Sequence, residues 1–190
     1  MRKSLGSSLL VVGLLVLFNN GITSCTAKRP QSASLAVNVV PLASIAIVAT
    51  EPTAVDQFNL EVKTFTTGKL CFDAVLGGGA EFGTVAETPL TLAALANQPF
   101  QVLATIAYSN NDCKVIARKD RGINSPADLR GRKVATFIGT SAEFFMHSFL
   151  KAQGLSAKDL QVTTLQPPDM VTALSNGDID AFLFGSLTSL

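Results

Sequence analysis

Tryptophan is missing from this chain, histidine occurs once, at His147, and cysteine three times, at Cys25, Cys71 and Cys113. One histidine cannot build a His-rich metal centre, and no cysteine spacing fits a metal or redox motif, so neither metal nor cofactor is expected. Net charge is nearly absent too: 15 Lys plus Arg face 14 Asp plus Glu. That balance offers no basic face, and nucleic acid is excluded as a partner. A phosphate loop is lacking as well. In DAVLGGGAEFGTVAETP (73–89) the glycines Gly77 and Gly79 are followed by Phe82 where GxGxxG needs its third glycine, and no Gly-Lys-Ser/Thr follows. Finally, the apolar run Leu9 to Phe18 falls well short of the ~20 residues that span a bilayer.

What that run does form is a secretory signal, with Arg2 and Lys3 ahead of the apolar stretch. It ends in Ile22, Thr23, Ser24 and Cys25, which resembles the lipobox of bacterial lipoproteins. The compact spacing favours lipidation of Cys25 and a membrane-anchored mature chain over an ordinary cleavage site with Cys25 incidental. Several acyl chains on one residue hold firmly where a single chain would not. Residues 1–24 are then signal peptide and 25–34 the lipidated N-terminus and a polar linker. Cys71 and Cys113 remain, either as an exported disulfide or, the favoured reading, as two inert buried thiols.

Beyond the linker the periodicities alternate. Leu35 to Val40 reads as a buried strand, Leu42 to about Val55 as a helix behind Pro41, and NLEVKTF (Asn59 to Phe65) as a half-buried strand of period two. A helix from about Gly68 to Leu76 follows, then a strand Phe82 to Ala86, a helix Pro89 to Ala96 and a long apolar strand Phe100 to Tyr108 (FQVLATIAY). Such alternation predicts βαβ units around a parallel sheet. The glycines at 77–79 close a helix and lead into a strand, the reverse of a phosphate motif, and so serve as C-cap and turn. The chemically interesting end is Val85 to Pro89, where Thr88 reads as N-cap and Pro89 as first helical residue, because open α/β sheets bind ligands at strand carboxyl ends.

A second unit starts at CKVIARK (113–119). It contains a short turn Pro126 to Leu129 capped by Ser125, strands Lys133 to Phe137, Leu160 to Leu165 and Ile179 to Phe184, and helices over GTSAEFFMHSFLKAQG (139–154) and Asp169 to Ser175. Thr140 to Glu143 matches the capping box T-x-x-E. His147 shares a helix face with Glu143 and Lys151, a solvated stripe, and Phe144, Phe145 and Phe149 read as core filling.

The stretches EFGTVAETPLTLAALA, VIARKDRGINSPADLRGRKVATFIGTSAEFF and PPDMVTALSNGDIDAFLF are similar, in order, to the periplasmic substrate-binding proteins of ABC importers. The branch resembled is that for nitrate, taurine, alkanesulfonates and thiamine pyrimidine precursors. The similarity covers about Val39 to Phe184. It implies an α/β, two-lobed periplasmic-binding-protein-like fold of type 2, with lobe I at 35–119 including the first crossing strand and partial lobe II at 120–190. It also implies a small solute held by lobe closure, an ABC permease as partner, and no enzymatic step. Related receptors continue past this point with a Trp-Glu-Pro-like segment, whereas here Phe184 is followed by GSLTSL, with Gly185 in place of the tryptophan. The second lobe is therefore expected to be incomplete, and a truncated product is one reading of the chain. Other readings are a pyrimidine-synthesis-like enzyme of the same fold, which would need a cysteine-rich motif and a catalytic histidine, and a sensor or interaction lipoprotein.

By position, the resemblance puts Pro41, Leu42 and Ala43, then Glu87 and Thr88, in the cleft from lobe I, and Gly139, Thr140 and Ser141 from lobe II. The last group has its own warrant, since a helix start presents unpaired N–H groups to an anion. Against it, Thr140 and Glu143 answer that helix end themselves. Glu87 is either a solvated carboxylate or the partner of an amine-bearing solute.

Overall fold

The computed structural model describes residues 32–48, 50–51 and 59–185. The signal peptide, Cys25, most of the linker, residues 49 and 52–58, and the final residues 186–190 lie outside the described residues; of the helix expected to about Val55, Thr50 and Glu51 are described and form a turn and a bend, not helix.

The first sheet is parallel throughout. Its middle strand is β1 (Ser32–Asn38), flanked by β2 (Asn59–Phe65) and β3 (Phe82–Gly83). Being flanked on both sides, β1 buries Ala36 and Val37. A 3-10 turn, Pro41–Ala43, then leads into α1 (Ser44–Val48). α2 (Gly68–Leu76) starts where Thr67 stops the strand path, with the Thr67 Oγ1 accepting the Leu70 N–H at 3.3 Å. It drives Cys71 against Ala36 and Ala80. Gly77 ends the helix, and Gly78 turns the chain at φ +73°, as a glycine C-cap should.

Two strand expectations fail in this half as well. The strand foreseen over Phe82 to Ala86 has two residues, because side chains take over the ladder: the Asn38 N–H donates to Thr84 Oγ1 (3.2 Å), which itself donates to Asn38 Oδ1 (2.6 Å). The strand foreseen over Phe100 to Tyr108 does not form. That segment follows α3 (Glu87–Leu95) as unpaired chain with Val102, Leu103 and Tyr108 exposed. A strand exists through its ladder partner, and none of the described strands lies beside these residues.

The second sheet has the order β4-β7-β5-β6: β4 (Cys113–Ala117), β5 (Lys133–Thr136), β6 (Gln161–Thr164) and β7 (Ala181–Gly185). β5 is parallel to β6 and β7, while β4 runs antiparallel to β7, so the residues read as the crossing are hydrogen-bonded into this sheet. Period two sends Val134 and Leu183 to one face and Ala135 and Phe182 to the other. α4 (Ser141–Ala152) covers the first with Met146 and Leu150, and α5 (Pro167–Asn176) the second with Met170. Phe145 and Phe149 pack against that core, 5.9 Å apart by ring centroid. Phe144 does not: it is 64% exposed, since the buried stripe of α4 runs Ala142, Met146, Leu150.

The motif residues make this framework. Asp128 Oδ2 accepts from the Ser125 N–H and Oγ, each at 2.8 Å, and from the Asn124 N–H at 3.1 Å, which holds its carboxyl below the usual carboxylate range. The buried Asp180 of GDIDA accepts the Lys133 N–H at 3.0 Å and pairs with Arg121 at 3.5 Å.

Candidate functional site

Strand tips from both lobes converge. In lobe I, β2 delivers Thr66 and Thr67, and β3 delivers Glu87; in lobe II, β5 delivers Gly139 to Ser141 and β6 delivers Gln166. Three approaches tie the two sets together. The Ser141 Oγ donates to Glu87 Oε1 at 3.4 Å. The Thr66 Oγ1 donates to Gln166 Oε1 at 3.0 Å. A Cβ added to Gly139 would stand 2.8 Å from Lys69 Cε. Helix starts thus meet across a crevice at strand carboxyl ends, where such sheets place ligands.

The helix starts differ electrostatically. Thr67 caps α2, and no acidic residue lies in its first turn, so its positive end is unanswered by charge. α3 opens on Glu87 itself, with Ala86 as N-cap. Thr88 is therefore a second helical residue and not the N-cap, because Ala86 already holds the extended backbone that precedes the helix. At α4 the capping box is displaced by one residue: Glu143 Oε2 accepts the N–H of Gly139 at 2.7 Å, and the Thr140 hydroxyl donates back to Phe137 O. Thr140 is the N-cap by backbone but makes no side-chain cap.

Of the residues placed in the cleft by sequence, Glu87, Gly139 and Ser141 are brought together. Pro41, Leu42 and Ala43 sit at the carboxyl end of β1, where Ala43 is buried. Thr88 is half-buried in the first turn of α3 and Thr140 is buried beside Ser141. Sequence reading overlooked Thr66, Thr67, Lys69 and Gln166, although the rule that pointed to Glu87 applies equally to the ends of β2 and β6. A depression of about 500 Å³ runs along β6 against the end of α5, lined by Lys133, Gln161 and Asp178, and none of the cleft residues borders it.

Both described cysteines are free thiols. Burial first, and then the carboxylates of Asp112 and Glu87, push Cys113 up to about 11; burial does the same for Cys71, also to about 11. Cys113 Sγ lies 3.9 Å from the carbonyl oxygen of Ser141, at the margin of the crevice. A raised thiol pKa keeps the sulfur protonated and unreactive at neutral pH. Alkylation of the native protein by iodoacetamide is expected to be slow at pH 8 and to accelerate about tenfold per unit toward pH 11; a rate already at its plateau at pH 8 would contradict this.

The comparisons bear on the same residues. The family description "NMT1/THI5 like" matches residues 57–188. The taurine-binding periplasmic protein of Escherichia coli is 26% identical over 122 residues, 64% of this chain and 38% of that protein. Among solved structures, the alkanesulfonate-binding protein SsuA of Xanthomonas axonopodis, bound to MOPS, has a TM-score of 0.65 at 18% identity over 82% of this chain and 55% of that one. The periplasmic nitrate-binding protein NrtA of Synechocystis has a TM-score of 0.63 at 18% identity, over 83% and 47% respectively. These neighbours share the two-lobed fold, and the chain spans 37% to 56% of the length of the curated relatives it matches. Since the family match takes in the second sheet, β2 and β3 of the first, and most of the sequence, the chain belongs to the NMT1/THI5-like family.

Proposed function

We propose that the chain is the solute-binding part of an extracytoplasmic receptor, lipid-anchored at Cys25 after removal of residues 1–24, which hands a small, anionic, sulfur- or nitrogen-containing solute to an ABC permease. Residues 35–119 and 120–190 serve as the two jaws, with β4 (Cys113–Ala117) of the first range hydrogen-bonded into the sheet of the second. The observation that carries this reading is the meeting of helix starts from both lobes, with Glu87 and Ser141 in contact at 3.4 Å. Amides at a helix start bind an oxyanion without a lysine, and closing the lobes over it withdraws the ions from water and strengthens the contact. The named relatives support the solute class: one binds taurine, and the structural neighbours bind an alkanesulfonate and nitrate.

An enzymatic reading finds no support in the cleft. Cys71 is buried in the lobe I core, and His147 stands on the outside of α4, 4.0 Å from Glu143. A receptor binds and releases its solute unchanged. Thermal unfolding against taurine, alkanesulfonates, nitrate, bicarbonate and pyrimidines tests this. A cognate solute at 100 times its Kd adds about 2.7 kcal/mol, expected as a rise in Tm of about 5 to 10 °C. A folded protein whose Tm moves with none of them would overturn the proposal.

A further inference from the structure

The segment with strand composition but no strand partner leaves an apolar stretch uncovered. From Asn97 to Asn111 the chain carries no charged residue, and Phe100 to Tyr108 contains neither proline nor glycine. Residues 101–110 are exposed without interruption, Leu103 and Tyr108 most of all. The start is fixed by the Phe100 ring, 5.3 Å from that of Phe72, and the end by β4. Between them, among the described residues, no backbone hydrogen bond involves 100–108. Nine residues that favour a strand thus keep their N–H and C=O groups free, and such segments pair readily with another chain.

The fold also holds an edge able to receive a strand. Among the described strands, β2, β3, β4 and β6 lie at sheet edges. Three of them are guarded, as edges usually are. β2 carries Glu61 and Lys63, paired at 3.4 Å; β3 has two residues; β4 bears Lys114 and is half-buried along its length. β6 differs, because Gln161, Val162, Thr163 and Thr164 are uncharged and all exposed. The N–H groups of Gln161 and Leu165 donate to Arg132 O and Thr136 O on the β5 side, so alternation turns those of Val162 and Thr164 outward. Beside this edge runs the depression of about 500 Å³, with the apolar Leu165, Ala173 and Ile179 in its lining.

We propose that Phe100 to Tyr108 of one copy of this chain adds as a strand to the free edge of β6 on a second copy. The segment and the edge are both neutral, so their pairing strands no charge. The outward backbone groups of β6 supply the hydrogen bonds, and the depression receives alternate side chains of the added strand. The segment pairs with neither sheet of its own chain, so the edge is filled from another copy. Donor and acceptor are different surfaces, and each junction therefore uses one segment and one edge. A four-residue edge makes an interface of the weak class, below about 1,200 Å².

Sedimentation velocity of the full chain from about 5 μM to about 500 μM, the range suited to a weak interface, tests this. The mean mass is expected to rise with concentration. Leu103→Lys in the segment and Thr163→Lys at the edge are each expected to lose that growth and to keep the native Tm, both positions being exposed. Val162→Pro removes an outward N–H without touching the β5 ladder and should act as Thr163→Lys does. Mixed in equal amounts, the Leu103→Lys and Thr163→Lys chains bring together one intact edge and one intact segment, and should recover a 1:1 pair that grows no further. A native chain that stays monomeric throughout overturns the inference. So does growth that survives in Thr163→Lys and Val162→Pro but not in Leu103→Lys, which would mean that segments pair with their own kind. Growth that survives in Leu103→Lys, or a mixture that stays monomeric, overturns it as well.

Discussion

Phe182→Ala is expected to lower the stability of the protein by about 3–5 kcal/mol, a large share of the roughly 5–15 kcal/mol that holds a native domain together. Phe182 is 1% exposed and packs with Ala135, Met170 and Ile179 between the second sheet and α5. Its strand, β7, pairs with β4 on one side and β5 on the other, so a void there loosens the middle of the sheet and not an edge. In urea, with a slope of ~1–3 kcal/mol per M, the midpoint should fall by at least ~1 M. Phe144→Ala removes the same side chain from a position that is 64% exposed and should change stability by no more than about 0.5 kcal/mol. Equal effects of the two substitutions would contradict the placement of α4 and α5 on the sheet.

That contrast marks where the sequence speaks and where it does not. The bounds of β2 and α2 are legible: NLEVKTF has a strand's composition, and the glycines at 77–79 close the helix. The capping turn at Ser125 is equally plain, because Asp128 stands three residues on. Signals of this kind are local, and local chemistry satisfies them. Phe100 to Tyr108 has strand composition as good as that of β1, yet a strand needs a neighbour, and pairing is a property of the whole fold. Phe144 fails for a related reason, since three phenylalanines close together on a helix cannot all face one core. Of the site, Glu87 and Ser141 are legible separately, by position at a strand end and a helix start. Their contact is not, nor is that of Thr66 with Gln166 across 100 residues of chain. The family stretches are informative about architecture for the same physical reason that they are silent about solute: Asp128 and Asp180 spend their carboxylates on backbone N–H groups of lobe II and none on the crevice.

Gly139→Val is expected to weaken solute binding by more than 10-fold, about 1.4 kcal/mol, while leaving both lobes folded. Two costs coincide at this residue. Its φ of +79° lies in the left-handed region, where a β-branched side chain costs ~1–3 kcal/mol. The new Cβ also meets the Lys69 side chain, 2.8 Å from Cε and 3.3 Å from Cδ, so the two lobes must part or Lys69 must abandon its place over the α4 start. The first cost is a matter of stability and the second a matter of closure, and Gly154→Val separates them. Gly154 has φ +67° and open space around an added Cβ, so it carries the backbone cost with no neighbour to displace. Both variants should lose a few degrees of Tm, but only Gly139→Val should lose affinity, measured with whichever solute raises the Tm of the native chain. If the two variants bind that solute alike, the jaws do not close over Gly139, and the approach of Lys69 to the α4 start has no part in holding the ligand.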